Sequence, residues 1–225
     1  MDIEISHIYK SKRKTLSISF KNGKYIIKAP YFLSDEQIYE FVENNKERIK
    51  RLKIKWLEHQ KKIVKKEFVN GEKFLYLGSE YPLKIIENAQ SEKALIFDKK
   101  SFILNTSDPK VIRFLMESFY IETAKKYICA RLNELAEKLQ LKYTKCGITK
   151  AKTRWGSCSY KNSINFSYKL IMAPPTIIDY VIIHELVHIL HKNHSTKFWK
   201  SIEKIMPDYK ERKKWLKENG GKLRI

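Results

Sequence analysis

Four of the chain's six histidines fall within eleven residues, in the stretch VIIHELVHILHKNHSTKFW that runs from Val181 to Trp199. Neutral imidazole is a common ligand of zinc and related metals, so such a cluster asks first for an ion. His184 and His188 are four residues apart; on a helix they stack on one face, about 6 Å apart along the axis, and can converge on one ion. Glu185 lies roughly 100° around the helix from His184, too oblique to complete the same chelate. It is placed instead to take a proton from metal-bound water, as the general base of an HExxH site. A carboxylate without a partner in so apolar a segment is costly, which argues for a chemical role.

A catalytic zinc site needs a third protein ligand and one open position. His191 continues the stripe, but on a straight helix it stands about 10.5 Å along the axis from His184, too far for two bonds of about 2 Å to one ion. The third ligand must come from chain that has turned back. His194 fits, with Lys192-Asn193 ending the helix and Asn193 free to adopt the left-handed conformation common at such ends. Glu203 is the runner-up. The pattern His184-Glu185-x-x-His188-x5-His194 has the ligand spacing of the metzincins, with His191 where their motif has glycine. One zinc per chain is expected.

These residues need a rigid, buried helix beneath them. APPTIIDYVIIHELVHIL supplies one: two prolines, Thr176 as cap with Asp179 three residues on, then apolar residues nearly all round from Ile177 to Leu190. Upstream, Asp108 to Leu141 reads as a long helix with Phe114, Leu115, Phe119, Ile128, Leu132 and Leu135 among its apolar positions. KCGITKAKTRWGSCSYKNSINFSYKLIMAPP between them is β-type, bent at Gly147 and Gly156. The first hundred residues are mostly strands, with an Asn22-Gly23 hairpin turn, and one helix opened by a Ser34/Gln37 capping box. The fold class is α+β: a small N-terminal β-rich domain with a helix (1–106), followed by a C-terminal metallohydrolase domain (107–225).

Composition narrows the setting. A 43 % hydrophobic content over 225 residues suffices for a core, and no run of about 20 apolar residues suggests a membrane span. The start, MDIEISHIYK, lacks the layout of a secretory signal. Cys129, Cys146 and Cys158 are odd in number and form no CxxC pair, which points to reduced thiols in a cytoplasmic protein. The net charge of +21 attracts polyanions. The densest basic stretch, Lys46–Lys66, reads as a helix with Ile49, Leu52, Trp56 and Ile63 as its docking stripe and Lys50, Arg51, Lys53, Lys55, Lys61, Lys62, Lys65 and Lys66 outside it. That face is a candidate nucleic-acid contact.

With these residues in hand, the chain resembles the YgjP-like zinc metallopeptidase family, related to the WLM and SprT-like proteases. The resemblance rests on TRWGSCS (Thr153 to Ser159), APPTIIDYVIIHELVHILHKNHSTKFW (Ala173 to Trp199) and MPDYKERKKWL (Met206 to Leu216), with KSKRKTLSISF and IIKAP at the N-terminus. It implies a zincin-like catalytic domain, His184, His188 and His194 as ligands, and Glu185 as base. RWGSCS then offers an edge strand along the cleft for β-addition of a peptide, with Arg154 facing an anionic substrate group. Trp155 and the Cys158 thiol read as buried, and Phe198 and Trp199 as packing under the active helix. Tyr160 and Tyr168 are secondary candidates for polarising a bound carbonyl.

The leading function is a zinc-dependent hydrolase acting on peptide or protein substrates. The first alternative is a metal-dependent phosphohydrolase of nucleoside triphosphates, which the basic composition favours but no phosphate-cradling glycine run supports. The third is a nucleic-acid-associated protein with an auxiliary metal site, against which stands the scarcity of stacking aromatics near the basic stretch.

Overall fold

The structure, a computed structural model, describes residues 3–61, 66–86 and 94–225, without the side chains of 59–61. The chain divides into two compact units, Met1–Val64 and Lys65–Ile225. Among the described residues it is mixed α+β, with three small sheets and six α-helices, none long and apolar enough to cross a membrane.

In the first unit β1 (Ile5–Ser11), β2 (Ser17–Lys21) and β3 (Lys24–Pro30) form a sheet of order β1-β3-β2. The hairpin turns at Asn22 (φ 49°) and Gly23 (φ 78°), the left-handed pair that a tight hairpin requires. The Ser34/Gln37 capping box opens α1 (Asp35–Asn44), with both reciprocal hydrogen bonds made. The single helix expected here is broken at Asn45, whose backbone (φ −117°, ψ 17°) leaves the helical region while its Nδ2 donates to the Phe41 carbonyl. α2 (Lys46–Lys61) follows. Ile38, Val42 and Ile49 bury against Tyr25, Ile27 and Ala29, and Trp56 meets the Phe20 ring edge-on at 5.4 Å. Arg48, Arg51 and Lys55, spaced i, i+3, i+7, stay exposed on α2. Lys62, Ile63 and Lys65 of the expected basic helix lie outside the described residues.

In the second unit β4 (Lys73–Tyr76), β5 (Ser79–Ile85), β6 (Leu95–Phe97) and β7 (Phe102–Leu104) form a sheet of order β4-β5-β7-β6. α3 (Pro109–Lys138) begins at an Asp108 cap that accepts from the Lys110 amide. β8 (Lys145–Thr149), β9 (Gly156–Cys158) and β10 (Ser163–Ser167) form a sheet of order β8-β10-β9, with β9 antiparallel to β10 and on the edge. A 3-10 turn, Tyr168–Met172, leads into α4 (Pro175–Leu190), α5 (Thr196–Ile205) and α6 (Tyr209–Asn219).

Four expectations need correction. The division falls at Val64/Lys65 and not near residue 106, because β4–β7 share one core with α3 and α4. The β4–β5 turn even clasps the approach to α4: the Leu77 and Gly78 amides donate to the Ile171 and Met172 carbonyls at 2.9 and 3.1 Å. Thr176 is not the cap of α4, which starts one residue earlier at Pro175; Asp179 instead makes a two-pronged ion pair with Arg131 of α3, at 2.8 and 2.9 Å. Cys129 and Cys146 are not free thiols but a disulfide, since α3 passes β8 with their Cα atoms 5.9 Å apart, and only Cys158 is free. Of the α3 apolar positions, Ile128, Leu132 and Leu135 are buried, each adding about 1.5–3 kcal/mol, whereas Phe114 is 68 % exposed.

Candidate metal centre

α4 is buried on nearly every side, and its one polar face carries Tyr180, His184 and His188 at i, i+4, i+8. The helix ends at Leu190. His191, its C-terminal cap, is extended (φ −132°, ψ 102°), and neither Lys192 nor Asn193 is left-handed. The turn expected at Asn193 is therefore made by an extended residue at 191, which swings the chain back before Ser195 caps α5. That return brings His194 to the other two.

His184, His188 and His194 form a cluster in which one nitrogen from each lies within 4.8 Å of the others, and the Nε2 atoms of His184 and His194 face each other at 3.0 Å. Ligands of a tetrahedral zinc stand roughly 3.3 Å apart, so small ring rotations would bring all three onto one ion. The ring environment supports that fit. Nδ1 of His188 meets the His191 carbonyl at 2.9 Å, which fixes the tautomer with hydrogen on Nδ1 and leaves the Nε2 lone pair available to a metal. Nδ1 of His184 is buried without a hydrogen-bond partner. Burial, and then the neighbouring His188, His194 and Lys213, hold His184 down to about 3; burial, His188 and Lys213 lower His194 as well. Both imidazoles are thus neutral near pH 7, with lone pairs to offer. Phe198, fully buried, packs its ring 4.6–5.0 Å from all three.

Glu185 is 5 % exposed, and burial pushes its carboxyl up to about 7 against the opposing charge of Arg154. It is not one of the clustered donors. Its position is set by Gly156: a Cβ there would lie 2.6 Å from Cγ and Oε1 of Glu185. The first residue of the edge strand is therefore glycine because the carboxyl needs the space. Gly156→Ala should leave metal content unchanged and cut any turnover that depends on Glu185 roughly tenfold or more by displacing its carboxyl; metal analysis and steady-state rates on one sample check both halves.

A cleft of about 220 Å³ opens beside these groups, walled by Tyr180, Val181, His184 and Glu185 of α4, Trp155 and Gly156 at β9, and Leu216 of α6. Arg154, next in sequence to Trp155, is exposed, and its charge acts on Glu185. Trp155, expected in the core, both packs on it and lines the cleft. Glu203 points elsewhere, paired with Lys210. The half-buried Cys158 thiol lies 4.0 Å from Lys192 and is raised by burial, apart from the histidine cluster. Tyr160 is 88 % exposed, and Tyr168 belongs to the buried core. The tyrosine on the cleft is Tyr180, which burial pushes up to about 12, so it stays a hydroxyl donor. Three participants escape the sequence reading: Gly156, Tyr180 and the His191 carbonyl. A glycine opening a short edge strand signals a close approach, and Tyr180 is one turn before His184. The carbonyl contact leaves no trace in residue types.

A family model described as YgjP-like, metallopeptidase domain, matches residues 14–219. No curated protein and no solved structure matches the chain.

Proposed function

We infer that this chain, which belongs to the YgjP-like metallopeptidase family, is a zinc-dependent peptidase with a zincin-like site, its metal held by His184, His188 and His194 and its general base Glu185. The observation that carries the reading is the meeting of three imidazoles in one cluster, of which His184 lines the same cleft as the buried Glu185 carboxyl. When bound, zinc supplies a Lewis acid that acidifies water and polarises the scissile carbonyl. Glu185 accepts the proton of the attacking water and passes it to the leaving amine. The outer edge of β9 offers backbone groups to an extended substrate, and Tyr180 offers a hydroxyl at the cleft wall. Arg154 faces an anionic part of the substrate.

The test is a substrate screen. Zinc-loaded wild type and Glu185→Gln are incubated with peptide pools and nucleotide pools and read by mass spectrometry. Internal peptide cleavage by the wild type alone supports the reading; phosphate release from nucleoside triphosphates, without peptide cleavage, moves the same site to the phosphohydrolase alternative. That alternative draws on the cations by the site, Arg154 and Lys213.

The polyanion contact is a separate proposal, resting on the exposed Arg48, Arg51 and Lys55 of α2. Replacing all three with glutamine should lower the slope of log affinity against log salt for a duplex DNA by about 2 to 3 and leave zinc content untouched. An unchanged slope, measured by fluorescence anisotropy, assigns these residues to solvation alone.

A further inference from the structure

Lys213 stands beside the histidine cluster without a role in it. Its Nζ sits 4.0 Å from the centre of the Trp199 ring, which stacks on the ligand His194 at 5.7 Å and on Tyr209 at 5.6 Å. The indole face thus fixes where the ammonium goes. Leu216, three residues on and on the same face of α6, lines the cleft. The ion pairs of α6 are Lys210–Glu203 and Arg212–Asp208, and among the described residues none reaches Lys213.

A cation held against a ligand's neighbour is unfavourable to a divalent metal bound at the cluster. Its charge is already felt by His184 and His194. A bound metal would add to the positive potential; the Glu185 carboxylate offsets part of it, on the α4 side of the cleft, and among the described residues no ion pair of α6 reaches Lys213. What balances such a field is an anion arriving with the substrate. A lysine suits that task, because its three donors at the end of a pinned stem can meet an oxygen from several directions.

We propose that Lys213 is the anion-recognition residue of this site, binding a negatively charged oxygen group of the substrate close to the bond that is broken. The proposal rests on the hydrolase reading of the cleft. The anionic oxygen can come from a carboxylate, an acidic side chain or a free C-terminus, or from a phosphate.

The experiment measures binding to zinc-loaded Glu185→Gln protein, so that no probe is consumed. Calorimetry compares Ala-Ala-Glu-Ala-Ala with Ala-Ala-Gln-Ala-Ala, each as free acid and C-terminal amide, and ATP with adenosine. The anionic member of at least one pair should bind on the order of tenfold more tightly. Adding Lys213→Met, which keeps the stem over Trp199, should erase that preference with zinc content unchanged, and Lys213→Arg should retain it. A preference in the glutamate pair identifies an acidic side chain, and one in the acid–amide pair a C-terminus. A Lys213-dependent preference for ATP alone keeps the role of Lys213 while the peptidase reading fails. The proposal is overturned if no pair shows an anion preference, or if the preference survives Lys213→Met.

Discussion

If Glu185 is the general base proposed, Glu185→Gln should retain its metal and lose turnover by a factor on the order of 10² or more. Glutamine fills the space beside Gly156 as glutamate does, so the variant removes proton acceptance and little else. The pH profile gives an independent readout. Burial holds the Glu185 carboxyl up to about 7 in the metal-free protein, and only the carboxylate accepts a proton, so activity rises with pH. A cation in the cluster stabilises that carboxylate, so the acid limb of kcat/KM lies at or below about 7 and is absent from the residual activity of Glu185→Gln. The same shift makes the metal-free protein less stable as pH rises from the unfolded value of 4.5 towards about 7, because the folded form binds the extra proton in that window. Loss of zinc from the variant, measured by elemental analysis, would make Glu185 a ligand and end its assignment as base.

His184→Ala, His188→Ala and His194→Ala should each lose the metal, whereas His191→Ala should keep it. The contrast follows from what each residue gives. The first three contribute ring nitrogens to one cluster, while His191 gives its backbone carbonyl to His188 and its ring to Ser201, at 3.1 Å. Alanine at 191 keeps the carbonyl. Saturating zinc should raise the thermal midpoint of wild type and His191→Ala, since about 2.7 kcal/mol accrues at a ligand concentration 100 times Kd, and should leave that of the other three nearly unmoved. Zinc retained by His194→Ala and lost from His191→Ala, after dialysis against a chelator, overturns the ligand set.

What could be read in advance was what helical geometry makes local. The 3.6-residue period places His184 above His188, and the two rings do share one cluster; His191 stands outside it for a different reason, since the helix has ended before it and its ring turns to Ser201. His194 was reachable because it lies a few residues past the helix end, although the turn itself is an extended His191 and not a left-handed Asn193. The Asn22-Gly23 hairpin and the Ser34 capping box are likewise encoded within four residues. Contacts across the sheet were not legible. The fit of Glu185 against Gly156, the pairing of Cys129 with Cys146 and the hold of Leu77 and Gly78 on the chain before α4 join residues distant in sequence, and the identity of one end says nothing of the other. The misplaced boundary near residue 106 has the same origin: β4–β7 read as strands from their own residues, but their alternation does not say which core they serve.

The bond between Cys129 and Cys146 ties the middle of α3 to the first strand of the sheet whose far edge is β9. Closing a loop between residues 17 apart in sequence restricts the unfolded ensemble by about 3 kcal/mol at 25 °C on a chain-entropy account. That is a large share of the margin by which a domain of this kind resists melting. With the two sulfurs reduced, the half-buried side chains of β8 can still pack on the core, but the sheet loses this restraint on its unfolding. The redox state of the surroundings therefore acts on the longevity of the cleft beside the histidine cluster from its far side, through two atoms that do not line it.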